Sequence, residues 1–120
     1  MEQTAQRALN LMQLLIEITR IMVERPHLAP YIYDGKDPPE KGATHHEEVL
    51  AYGRLFMSFG EAVGWQIRAH EMDSDAEQAW RDYFTDLHEH SPTVQCAVKE
   101  NEKLLAEQTR ELFLGRLSGK

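Results

Sequence analysis

Six histidines raise the question of a metal site, because imidazole is a frequent ligand for zinc and related ions. Helices that bind metals present their ligands three or four residues apart, as in H-E-x-x-H. Here His45 and His46 are adjacent, and adjacent side chains diverge by about 100° on a helix. The E-x-x-H segment from Glu24 to His27 is interrupted by Pro26. The sequence therefore predicts no metal centre and no cofactor, and favours solvated histidines near helix ends.

Two further histidines, His88 and His90, close a strongly acidic segment that contains Asp82, Asp86 and Glu89. Carboxylates and a helix C-terminus both stabilise an imidazolium. If both rings are exposed, the sequence predicts raised pKa values for both histidines.

A lone thiol, Cys96, excludes an internal disulfide and is typical of a reducing compartment. Its position near the start of a predicted helix suits a nucleophile, but no nucleophile signature surrounds it. We therefore expect an incidental thiol and leave any catalytic residues unassigned. The first predicted helix is too often interrupted by polar residues for a membrane span or a signal peptide, so we expect a cytoplasmic protein.

Aromatic residues recur at helical spacing on two predicted helices: Tyr52 and Phe56 on one, Trp80 and Tyr83 on the other. Such residues could line a ligand pocket between the helices. Aromatic residues at this spacing more often form plain core, and both interpretations remain open here.

The outer face of the second predicted helix carries Trp65, flanked by Glu61 and Arg68. A large aromatic residue rimmed by charge is typical of an interface anchor. The alternative is that the first helix, or the segment from Tyr31 to Tyr33, covers it. The sequence leaves these two hypotheses open and places Trp65 and Arg68 at a candidate interface.

Helical periodicity and start signals predict the elements that position these residues. Thr44 to Glu47 and Ser74 to Glu77 read as capping boxes, and Ser91 precedes Pro92. A short helical turn at Pro26 and a Gly- and Pro-rich loop should separate the first two helices. We expect one domain, residues 1–120, built as an all-α bundle of four main helices at about 3–24, 44–71, 75–90 and 92–117.

The second helix carries Gly53, Gly60 and Gly64 on one strip. Glycine in a helix interior costs about 1 kcal/mol relative to alanine. We therefore expect another helix to approach this strip closely, with a bend as the alternative.

The first helix is apolar around more than half of its circumference, whereas an ordinary surface helix buries one stripe. It is therefore either the central helix or covered by a second chain. We expect a homodimer with Leu11 and Ile18 at its interface. The polar residues of this helix form one thin stripe: Gln3, Gln6, Asn10, Gln13, Glu17, Arg20 and Glu24.

The segments Arg25–Tyr33 and Trp80–Leu87, followed by Ser91 and Pro92, resemble a small helical domain of unknown function from actinobacteria. The resemblance implies an all-helical fold. Because that family has no settled chemistry, it implies no site residues.

The composition is typical of a globular protein, and the net charge of −7 disfavours nucleic acid and anionic membranes as partners. We expect a small interaction or regulatory module without catalytic chemistry, whose partner is a second copy, another protein or a small molecule. The alternative is a small enzyme or ligand-binding protein with an aromatic pocket.

Overall fold

A computed structural model describes the backbone of residues 2–115 and the side chains of residues 6 and 9–115. This part of the chain is helical and contains no strand, which confirms the predicted all-α class. It has six α-helices where four main helices were predicted. In chain order they are α1 (Glu2–Glu24), α2 (Ala29–Tyr33), α3 (His46–Arg68), α4 (Ser74–His90), α5 (Pro92–Glu100) and α6 (Glu107–Leu114), with 3-10 helices at Pro26–Leu28 and Glu102–Leu104.

The central helix is α3, and α1 packs against one side of it. Val49, Phe56 and Val63 of α3 are fully buried. The Tyr52 hydroxyl donates a hydrogen bond to the backbone carbonyl of Ile18, at 2.7 Å. Since α1 meets the body of the protein with a single face, it is not the central helix that the sequence allowed.

The glycine strip of α3 faces α5 and α6, as the spacing predicted. A Cβ atom on Gly53 would lie 2.8 Å from the Thr93 Cγ2 atom, and one on Gly60 would lie 2.5 Å from the Phe113 ring. The glycines therefore allow two helices to approach α3 more closely than alanine would permit.

The predicted fourth helix is interrupted, so the sequence prediction was wrong there. Its first part, α5, ends at Glu100 and is followed by the cap residue Asn101, whose side-chain amide donates to the Ala97 carbonyl at 2.9 Å. Leu105 and Ala106 then adopt extended backbone angles, and the Arg110 guanidinium donates to the Leu105 carbonyl at 2.6 Å. This break redirects the chain, so that α6 packs across α3 and α4.

The C-terminal end of α6 is capped by Gly115, which adopts the left-handed conformation with φ of 85°. The helix ends at Leu114, before the predicted end at Leu117. Leu117 itself lies outside the described residues.

The helix starts agree only partly with the predicted capping signals. Ser91 caps α5: its hydroxyl accepts the N–H three residues later and donates to the Tyr31 carbonyl at 2.7 Å. The cap of α4 is Asp73 rather than Ser74. α3 begins two residues after Thr44, without a side-chain cap.

None of the helices in residues 2–115 combines the length and apolar content that crossing a bilayer requires.

Candidate functional site

The aromatic residues of α3 and α4 form one packed cluster. Phe56 is fully buried, Tyr52 is 4% exposed, and their rings meet edge to face at a centroid distance of 5.1 Å. The Trp80 ring meets the Tyr83 ring at 5.9 Å. Other rings of the cluster are those of Tyr33, Phe59, Phe84 and Phe113. The rings therefore occupy much of the space between the helices in which the sequence analysis allowed a ligand pocket.

One edge of this cluster opens to the surface. The Tyr33 and Tyr83 hydroxyls are 3.1 Å apart beside a concavity of about 270 Å³ that Asp86 and His90 also line. Burial raises the pKa of Tyr83 and that of Tyr52. Both phenols therefore remain protonated hydrogen-bonding groups and are poor candidates for a general base.

A larger concavity of about 820 Å³ lies between α4 and α6. Polar and charged side chains dominate its lining, including Arg81, Asp82 and Glu111, whereas ligand pockets are mostly apolar. Of the four aromatic residues predicted to form a pocket, Tyr83 lines both concavities.

Trp65 is exposed on α3, with 55% of its surface accessible. On the same face, the Glu61 carboxylate accepts a hydrogen bond from the Thr109 hydroxyl. The Arg68 guanidinium donates to the Gln108 side-chain oxygen at 3.3 Å. This exposure contradicts the alternative in which α1 or the Tyr31–Tyr33 segment covers Trp65.

The exposed side of α1 carries an apolar stripe, which we define as Leu9, Met12, Ile16 and Val23. These side chains are 57%, 51%, 59% and 73% exposed. Leu11 and Ile18, which the sequence placed at an interface, are instead 6% and 1% exposed and belong to the core. They lie on the α3 side of the helix, and the surplus apolar surface lies on another side.

The structure also assembles a histidine cluster, defined as His27, His45 and Glu48, that sequence spacing did not reveal. His27 lies in the 3-10 helix after α1, whereas His45 and Glu48 flank the start of α3. His27 Nε2 and His45 Nδ1 lie 2.8 Å and 3.1 Å from the same oxygen, Glu48 Oε1. Arg25 donates to the other oxygen, Oε2. Three groups that commonly bind metals therefore converge on one point.

The electrostatics of the histidine cluster fix the protonation state of its carboxylate. The hydrogen bonds from His27 and Arg25 lower the pKa of Glu48 to about 2. An ionised carboxylate only accepts hydrogen bonds, so His27 Nε2 and His45 Nδ1 each act as the N–H donor in the hydrogen bond to Glu48. The spacing His45-x-x-Glu48 was the available sequence signal, but His27 is distant in sequence and only folding brings it near.

The prediction for the two histidines at the end of α4 was right for one of them. A hydrogen bond to the Asp86 carbonyl at 2.9 Å raises the pKa of His90. Burial lowers the pKa of His88, whose ring packs against Phe113 with a centroid distance of 6.3 Å. The prediction failed for His88 because it assumed an exposed ring.

The Cys96 thiol lies 3.6 Å from the Glu100 carboxylate, and burial raises its pKa. A raised pKa decreases the thiolate population, which is the reactive form. This environment gives the nucleophile hypothesis no support.

Comparison with protein-family models finds no match, and comparisons with curated proteins and with solved structures find none either. The resemblance to the actinobacterial domain therefore stays a prediction.

Proposed function

We propose that this protein is a small helical interaction module, without catalytic chemistry of its own, that self-associates in the cytoplasm through the apolar stripe of α1. The observation that carries the proposal is the exposure of this stripe on a helix whose opposite side is already buried. Exposed large apolar side chains in a contiguous row are a common mark of a protein-binding surface.

The spacing of the stripe favours a second copy of the same helix as its occupant. Leu9, Ile16 and Val23 are separated by seven residues, and Met12 follows Leu9 by three. This is the a/d pattern with which two helices pack side by side, with Thr19 as a polar residue at the second d position. A stripe of this kind is self-complementary, as a two-fold symmetric dimer requires.

Charge also favours pairing through α1. The helix contains three glutamates and two arginines, giving a net charge of −1, whereas the whole chain carries −7. Two copies approaching along α1 therefore meet less repulsion than two copies approaching along the acidic α4.

The size of the stripe predicts a weak dimer. Burying the exposed half of each of its four side chains contributes about 1 kcal/mol per residue, or about 8 kcal/mol for both subunits. Lost translational and rotational freedom opposes this gain by about 4 kcal/mol or more. The net gain of about 4 kcal/mol means that the stripe alone supports a dissociation constant no tighter than about 1 mM.

The test is sedimentation from about 0.1 mM to several millimolar protein, a range that spans the expected dissociation constant, comparing the wild type with Ile16→Glu and Asn10→Glu. Both substitutions add one negative charge to an exposed position of α1, but Asn10 belongs to the polar stripe. We expect Ile16→Glu to abolish association while the control still dimerises, and both should melt like the wild type. A wild-type protein that is monomeric throughout the range contradicts the proposal.

Trp65 is the second surface in the proposal, since an exposed Trp flanked by Arg68 has the composition of an interface anchor. Trp65→Ala should leave folding stability nearly unchanged because the ring is more than half exposed. If Trp65 belongs to the dimer interface, this variant should weaken the dimer by more than about 2 kcal/mol. If the Trp65→Ala variant dimerises as strongly as the wild type, Trp65 lies outside the dimer interface and is a candidate contact for a different protein partner.

The ligand-binding alternative has less support, because Tyr52 and Phe56 are buried in a packed ring cluster. A native mass spectrum distinguishes the two proposals. A retained small molecule at one per chain would favour the alternative, and a mass of the bare chain with nothing retained would favour the interaction module.

A further inference from the structure

We propose that the histidine cluster is a binding site for a divalent zinc ion, with His27 Nε2, His45 Nδ1 and Glu48 Oε1 as its protein ligands. Two imidazoles and one carboxylate form a ligand set suited to zinc, which leaves a fourth position open to solvent. His27 and His45 have side chains that are 42% and 55% exposed, so an ion can reach the site without opening the fold.

The spacing of the donor atoms fits a zinc ion after a small adjustment. Ligand atoms about 2.0 Å from zinc at tetrahedral angles lie about 3.3 Å apart. The two imidazole nitrogens lie 2.8 Å and 3.1 Å from the Glu48 oxygen, and all three donor atoms lie within 4.8 Å of one another. The two nitrogens therefore need to move away from Glu48 Oε1 by a few tenths of an ångström. They lie no more than 4.8 Å apart, so they need to approach each other by at most about 1.5 Å, and partly exposed side chains permit both movements.

The surroundings of the cluster hold the ligands in place. The Arg25 guanidinium binds Glu48 Oε2 and leaves Oε1 directed at both histidines. Hydrogen bonds from an outer residue of this kind orient the ligands in many metal sites.

Zinc binding should change the tautomers of the two histidines in opposite ways. Without metal, the proton lies on Nε2 of His27 and on Nδ1 of His45, because both nitrogens face an ionised carboxylate. A nitrogen that binds zinc carries no proton. The proton of each ring should therefore move to Nδ1 in His27 and to Nε2 in His45.

The experiment is a zinc titration of the full chain at mildly alkaline pH, followed by calorimetry and by ¹⁵N NMR of the imidazole rings. We expect one ion per chain, the two opposite tautomer changes, and a higher melting temperature in the presence of zinc. His27→Ala, His45→Ala and Glu48→Gln should each weaken binding by about 10-fold or more, since even residues outside the ligand set affect metal affinity by that factor.

The matched control is His90→Ala, because His90 forms a second cluster with Asp86 and Glu89 at the end of α4. This control should bind zinc as the wild type does. Loss of binding in His90→Ala, or an absence of tautomer changes at His27 and His45, would overturn the proposal. The NMR measurement uses the wild-type chain, so it decides the question even if a variant fails to fold.

Discussion

Gly60→Ala introduces a methyl group into the closest helix contact that the glycine strip makes. The added Cβ atom would lie 2.5 Å from both Cε2 and Cζ of Phe113. Carbon atoms in contact are normally about 3.5–4.0 Å apart, so the ring or its helix must move by about 1 Å. Phe113 is fully buried, and its ring packs against those of Phe84, at a centroid distance of 5.3 Å, and His88, at 6.3 Å.

Two opposing effects decide the net change in stability. Alanine favours the helix by about 1 kcal/mol over glycine. Overpacking a filled core costs about 1–3 kcal/mol. Because the Phe113 ring is fully buried and packs against two other rings, we expect the cost for Gly60→Ala to lie at the upper end of this range. We therefore expect Gly60→Ala to lower the free energy of unfolding by about 1–2 kcal/mol.

Urea denaturation measures this change, with two controls on the same helix. Ser58 is exposed, so Ser58→Ala should be neutral or stabilising by up to about 0.5 kcal/mol through helix propensity. A Cβ atom on Gly64 would lie 3.2 Å from the flexible Gln108 side chain, so Gly64→Ala should be tolerated better than Gly60→Ala.

A double-mutant cycle with Phe113→Leu identifies the clash as the cause. The smaller side chain removes the ring atoms that the new methyl group would meet. We expect Gly60→Ala to be less destabilising in the Phe113→Leu background, with a coupling of about 1 kcal/mol. Strictly additive effects, or a Gly60→Ala protein as stable as the wild type, would refute the reasoning.

Three other predictions concern buried polar and titratable groups. Ser91→Ala removes a helix cap and leaves the buried Tyr31 carbonyl unpaired, so chemical denaturation should show a loss of about 2–3 kcal/mol. Thr93 is buried and its hydroxyl has no hydrogen-bond partner among the described residues, so Thr93→Val should raise the melting temperature; a lower one would show that the hydroxyl is satisfied. In an NMR titration His90 should titrate above 6.5 and His88 below it, and the reverse order would contradict the packing of α4. Because burial lowers the pKa of His88, this residue contributes stability that is complete above its unfolded pKa and is lost as pH falls through its folded pKa. The hydrogen bond to the Asp86 carbonyl raises the pKa of His90, so His90 contributes stability that is lost as pH rises through its folded pKa.

The sequence alone could predict features that depend on residues close together along the chain. Ser91 followed by Pro92 identified a helix start, because the cap bonds the backbone of its own first turn. The same local reasoning failed for Thr44, where the chain continues as turns and α3 starts later. It also failed near Asn101, where a polar residue in a weakly apolar face ends the helix.

Sequence periodicity also established that the first helix has more apolar surface than one packing face needs. It could not decide which side faces the core, because both sides carry leucine and isoleucine. Packing against α3 resolved this: Leu11 and Ile18 are buried, and Leu9 and Ile16 remain exposed.

The tertiary structure alone decided which distant residues meet. His27 and Glu48 are separated by 21 positions, and Gly60 and Phe113 by 53, so no helical repeat relates them. Helix periodicity reports which residues share a face of one element. Contacts between elements depend on how the chain turns and on which faces bury the most surface, and these are properties of the whole folded protein.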